Sequence, residues 1–113
     1  MNETKNLMIC VSTVASRDDA EAIAATLLDR SLAACVQIEG PIQSHYVWRG
    51  QRHADDEYRL VIKTAADLVS ALKRALAEIH SYDEPQILFI SVSDAATGYC
   101  DWVLAQTAAG HRQ

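Results

Sequence analysis

The sequence has no run of about 18 apolar residues, the length a membrane-crossing helix needs, so nothing in it reads as a transmembrane span. It has no block of basic residues. Fifteen acids stand against ten Lys and Arg, for a net charge of −5, and nucleic acid and anionic membrane are poor partners on electrostatic grounds. No charged leader precedes a long apolar region; MNETKNLMICV reads as the approach to a strand, and the expectation is a cytoplasmic protein. The phosphate-cradling patterns GxxxxGK[ST] and GxGxxG are missing. No pattern of acid, base and oxyanion hole is recognisable, so an enzyme is not expected. Cysteines are few and odd in number: Cys10, Cys35 and Cys100 are widely spaced, and the first two sit inside apolar runs. They read as buried, reduced thiols. There is no repeat, no low-complexity segment and no linker, and 113 residues suffice for one domain, not two.

What is present is a half-hydrophobic chain with 22% charged residues, ordinary for a globular protein. Leu7–Val11 is a continuous apolar run and reads as a first strand. Ser16 with Asp19 three residues on resembles a capping box. Behind it, Ala20, Ile23, Ala24, Leu27 and Leu28 repeat with helical spacing as far as Arg30–Ser31. A second strand starts near Ala34, bends at Gly40–Pro41 because proline cannot donate to a ladder, and resumes to Trp48. A third runs from Gln51 to about Thr64. A second helix is expected from Asp67 to about His80, ended by SYDEP. Ile87–Val92 reads as a fourth strand. Asp94 is a candidate cap for a last helix carrying Tyr99, Trp102 and Val103 on one side. The order β-α-β-β-α-β plus a terminal helix is the ferredoxin-like α+β sandwich, here with an extended β2–β3 hairpin.

Two features go beyond this outline. LMICV, LVI at 60–62 and ILFI are apolar at successive positions, so both faces of the sheet must be covered. Two helices cover only one; either the last helix folds under or another subunit docks there. The second feature is SHYVWRGQRHADDEYRL at 44–60. A two-residue turn at Arg49–Gly50 sets Trp48 opposite Gln51, Tyr46 opposite His53 and Ser44 opposite Asp55. Tyr46, Trp48, His53, Asp55 and Glu57 then share one face, which Arg59 and Lys63 continue. His45 and His53 point to opposite faces and make a poor metal pair. Glu57 and Lys63 lie about 20 Å apart along the strand, too far to pair directly. The arm reads as an oligomerisation element walling an inter-subunit cleft.

Several separate stretches now agree on a family. LAAC followed by Val36, SHYVWRG at 44–50, Glu57 followed by Lys63–Thr64, HSYDEP at 80–85, and Tyr99 with Trp102 resemble, in order and spacing, the CutA divalent-cation tolerance proteins. The resemblance covers roughly residues 7–106. It implies a compact homotrimer of ferredoxin-like chains, akin in fold to the PII signalling proteins, which bind small molecules between subunits. It also implies copper or another divalent cation as ligand, with no tightly bound cofactor. The implied metal residues are His80, at the end of the second helix, and Ser12, which stands where relatives carry cysteine, with Cys10 two residues earlier. The implied cleft residues are Tyr46, Trp48, Glu57, Lys63, Tyr82 and Trp102. Gln86 departs from the acid that often follows the proline in relatives. The alternative is a PII-like module holding a small anion or nucleotide in inter-subunit clefts.

Overall fold

The structure, a computed structural model, describes residues 6–108. Its elements are β1 (Leu7–Val14), α1 (Arg17–Asp29), β2 (Cys35–Trp48), β3 (Gln51–Ala65), a 3₁₀ turn over Ala66–Leu68, α2 (Val69–Ile79), β4 (Leu88–Ser91) and α3 (Thr97–Gln106). The strands form one antiparallel sheet in the order β2-β3-β1-β4. This is the expected mixed architecture with two helices against one face. Among the described residues, no helix is long and apolar enough to cross a membrane.

Local chemistry explains most boundaries. The Ser16 hydroxyl accepts from the Asp19 amide at 3.1 Å and starts α1. Ser31, with φ of 54°, ends it in a Schellman arrangement: Leu32 N–H donates to Leu27 O at 2.9 Å and Ser31 N–H to Leu28 O at 3.1 Å. Four boundaries differ from the sequence expectation. β1 reaches Val14, because β3 pairs with it as far as Tyr58. β4 is shorter, pairing with β1 only over Leu88–Ser91. The α-helical part of α2 starts at Val69, since Asp67 belongs to the preceding 3₁₀ turn. Asp94 does not cap α3; its carboxylate accepts from Ala95 N–H at 2.9 Å, two residues before the helix begins.

β2 and β3 carry the site. Their register slips between Glu39 and Ile42, at the cis Gly40–Pro41 peptide. A Cβ at Gly40 would stand 2.9 Å from Cγ of Tyr58, so only glycine fits against that ring. At the tip, Arg49 and Gly50 have φ of 54° and 79°, both positive as a type I′ turn requires. The hairpin makes the molecule elongated, 47 Å in its longest extent and 22 Å in its shortest.

The main core lies between the sheet and α1 and α2, with Cys10, Val14, Leu27, Leu60, Ile62, Leu72 and Leu76 at its centre. Burial pushes the Cys10 thiol up to about 12, which suits the expectation of an inert thiol. On the second face, α3 buries Leu7 against Cys100 and Val103, but only at one end of the sheet. Leu88 and Ile90 remain 52% exposed, beside half-buried Ile9, Val11 and Val61. Of the two ways to cover this face, the terminal helix supplies only part.

Ser12 points into the main core between Cys10 and Val14, fully buried, and its hydroxyl has no hydrogen-bond partner. A buried hydroxyl without a partner is costly, so Ser12→Ala is expected to raise unfolding stability by ~0.5–2 kcal/mol in urea titration. A loss of stability would mean that the hydroxyl is satisfied in solution.

Candidate functional site

The root of the hairpin folds over the end of β1 and the loop that follows α2. The pairings Tyr46–His53, Trp48–Gln51 and Ser44–Asp55 are those the turn dictates. Tyr46 and His53 stack with ring centroids 5.3 Å apart and planes 18° apart. The Tyr46 hydroxyl donates to Asp55, which raises the phenol's pKa chiefly through that hydrogen bond. One step inward, Glu57 is 9% exposed and accepts from the Tyr82 hydroxyl at 2.8 Å. Burial first, and the Glu57 carboxylate second, push the Tyr82 phenol up. Both phenols therefore stay protonated donors to charged acceptors, a stronger bond than a neutral pair makes.

Between these groups lies an open cavity of about 850 Å³, walled by the hairpin, by Thr13 near the end of β1 and Ala15 just after it, and by the loop from Tyr82 to Gln86. Its carboxylates come from two sides: Asp55, Asp56 and Glu57 on β3, Asp83 and Glu84 on the loop. No Lys or Arg is among the described residues that line it.

His80 holds the loop in place. Its Nε2–H donates to Thr13 O at 2.7 Å, its Nδ1 accepts from Tyr82 N–H at 3.1 Å, and its ring lies 4.8 Å from that of Tyr82. Donating through one nitrogen and accepting through the other fixes the neutral ring in a single tautomer. The histidine is buried, at 8% exposure.

The expected residues therefore separate into groups. Tyr46, Trp48, Glu57 and Tyr82 line one cavity. Lys63 does not reach it: its ammonium bonds to Gln37 on the open sheet face, near the Arg59–Glu39 ion pair at 3.1 Å. Trp102 lies on α3, against Tyr99 at 5.7 Å. The metal trio does not form a ligand set within one chain. Both nitrogens of His80 are committed, and Cys10 and Ser12 are fully buried in the core. Among the described residues, no group of three or more His, Cys, Asp or Glu side chains is placed to hold a metal ion. Asp83 and Glu84 were missed as site residues, because SYDEP reads by local pattern as a helix stop and the family resemblance assigns only Tyr82 of it to the cleft. The available signal was two acids directly after an aromatic in a loop following a histidine.

The geometry defines a class: a small ferredoxin-like chain with a long central hairpin and an acidic, aromatic-lined cleft at its root. The chain belongs to the CutA1 divalent ion tolerance protein family, whose model matches residues 8–106. It is 33% identical to the divalent-cation tolerance protein CutA of Pyrococcus horikoshii over 101 residues, 89% of this chain and 98% of that one. It is 29% identical to the chloroplastic protein CutA of Arabidopsis thaliana, covering 94% of this chain but only 58% of the relative. The fold superposes on the crystal structure of CutA1 from Oryza sativa with a TM-score of 0.90 at 29% identity, over 96% and 99% of the two chains. CutA1 from Ehrlichia chaffeensis gives a TM-score of 0.88 at 35% identity, over 92% and 97%.

Proposed function

We propose that this chain acts in the response to divalent metal ions as a homotrimer, meeting copper or a related ion on the acidic wall of its cleft. The observation that carries this reading is the sign of that wall: five carboxylates line the cavity, with His45 and, among the described residues, no Lys or Arg. Such a wall concentrates cations electrostatically. A hard ligand set of carboxylates and water accepts a range of divalent ions. Since no donor trio converges among the described residues of one chain, a neighbouring subunit has to complete a tight site. The need for a partner rests on the uncovered stripe of Ile9, Val11, Val61, Leu88 and Ile90; the number three rests on the family resemblance.

Copper(II) titrated calorimetrically into metal-free protein tests the reading beside two variants. Asp56→Asn/Asp83→Asn/Glu84→Gln is expected to weaken binding about tenfold or more, and His80→Asn by less than about twofold. Loss in the histidine variant alone would return the site to His80, with both its hydrogen bonds given up on binding. No binding to wild type would remove a direct metal role.

The cavity itself favours a second reading, a small-molecule module with sites between subunits. Its volume lies within the range of small-ligand pockets, and aromatic and ionised side chains share its walls. The small anion expected of such a module would meet no Lys or Arg among the described residues that line this cavity.

A further inference from the structure

The chemical class of a small ligand follows from three properties of the cleft. Its charge is dominated by one sign: Asp55 and Glu57 line it from the hairpin and Asp83 and Glu84 from the loop, and the described lining residues include the His45 imidazole but no Lys or Arg. An anion entering it would meet five carboxylates and no Lys or Arg among the described lining residues. Second, these carboxylates are spread over a cavity of about 850 Å³ without converging on one point. That arrangement matches a charge delocalised over several atoms, or two charges on one chain, better than a point charge. Third, the aromatic wall already holds a cation. The Arg49 guanidinium sits 5.4 Å from the ring centroid of Trp48, as the negative face of an indole favours. Trp48 is also 42% exposed, whereas one face of Tyr46 is covered by His53.

We infer that the cleft binds an organic cation of the guanidinium or alkylamine class, with its charged head on the indole face of Trp48 and its hydrogen bonds to Asp55. This rests on the small-molecule reading of the same cleft. Arg49 then acts as a built-in competitor: its guanidinium occupies the ring face until the ligand displaces it. Glu57, held by Tyr82, supplies fixed negative charge at the inner end. The outer end of a two-headed ligand meets Asp83 and Glu84 on the loop.

Agmatine, a guanidinium and an ammonium on one short chain, is a suitable probe, with citrate as the anionic counterpart; both are titrated calorimetrically into the whole protein. Agmatine is expected to saturate at one site per chain. Trp48→Ala and Asp55→Asn should each weaken it about tenfold, and Arg49→Ala should tighten it about threefold by removing the competitor. The Arg49 variant separates the inference from a merely structural role, since loss of fold cannot improve affinity. Agmatine binding that ignores Trp48 and Asp55 overturns the site. Saturable citrate binding lost in Trp48→Ala, with agmatine inert, overturns the cation class and leaves the small-molecule reading standing. If neither probe binds up to about 10 mM, both fall together.

Discussion

Ile90→Lys is expected to convert the proposed oligomer into a folded monomer. Ile90 lies on β4 opposite Ile9 of β1, at the centre of the stripe that α3 leaves open. The side chain is half exposed in a single chain, so lysine can be accommodated there with the helix-side core untouched. In the proposed oligomer the same position would be buried, and each apolar side chain of this size contributes ~1.5–3 kcal/mol when fully removed from water. Lysine reverses the sign of that contribution. It brings an ammonium into an apolar contact, and cyclic symmetry brings one from every subunit. Sedimentation velocity should show wild type at three times the chain mass and the variant at one, with unchanged far-ultraviolet circular dichroism. A variant that keeps the wild-type mass would place the subunit contact elsewhere. A monomeric wild type would leave the apolar stripe to some other partner.

The stripe was legible in the sequence because it broke a rule. Strands covered on one side alternate, and LMICV and ILFI do not. The hairpin register was equally legible, since a two-residue I′ turn leaves no freedom in which side chains meet. Tyr46, Trp48 and Glu57 could thus be assigned to one wall. The opposite wall could not. Whether residues 82–86 fold back on the hairpin depends on His80 reaching Thr13, a contact across 67 positions of the chain that no local pattern encodes. Lys63 stays outside the cavity of a single chain for a related reason. Alternation puts it on the right side of β3, but six residues beyond Glu57 it lies over the sheet, beside Gln37. The start of α2 was misplaced by two residues because Asp67 lies in the preceding 3₁₀ turn, and the cap of α3 because Asp94 bonds to the Ala95 amide instead.

His80→Ala is expected to destabilise the metal-free protein by ~2–4 kcal/mol. The histidine looks like a ligand in sequence, yet its ring is a two-sided connector: Nε2–H to Thr13 O on β1, Nδ1 from Tyr82 N–H on the loop. Truncation removes both bonds and leaves a partly buried carbonyl and amide to find water. It also releases Tyr82, whose hydroxyl is the partner of Glu57. Each bond is worth ~0.5–1.5 kcal/mol net, with a further penalty for groups left unsatisfied. The two halves can be separated. Asparagine offers an acceptor near the Nδ1 position and glutamine a donor near Nε2, so His80→Asn and His80→Gln should each lose about half of the total. The measurement is urea unfolding in the presence of a chelator, repeated with copper(II). If His80 were chiefly a metal ligand, the chelated wild type and the alanine variant would unfold together, and only added metal would separate them, by the mass-action stabilisation of the native state. A full deficit in chelator instead assigns the ring to the architecture of the cleft. Any loss of copper affinity in His80→Ala then has to be read through the displaced loop that carries Asp83 and Glu84.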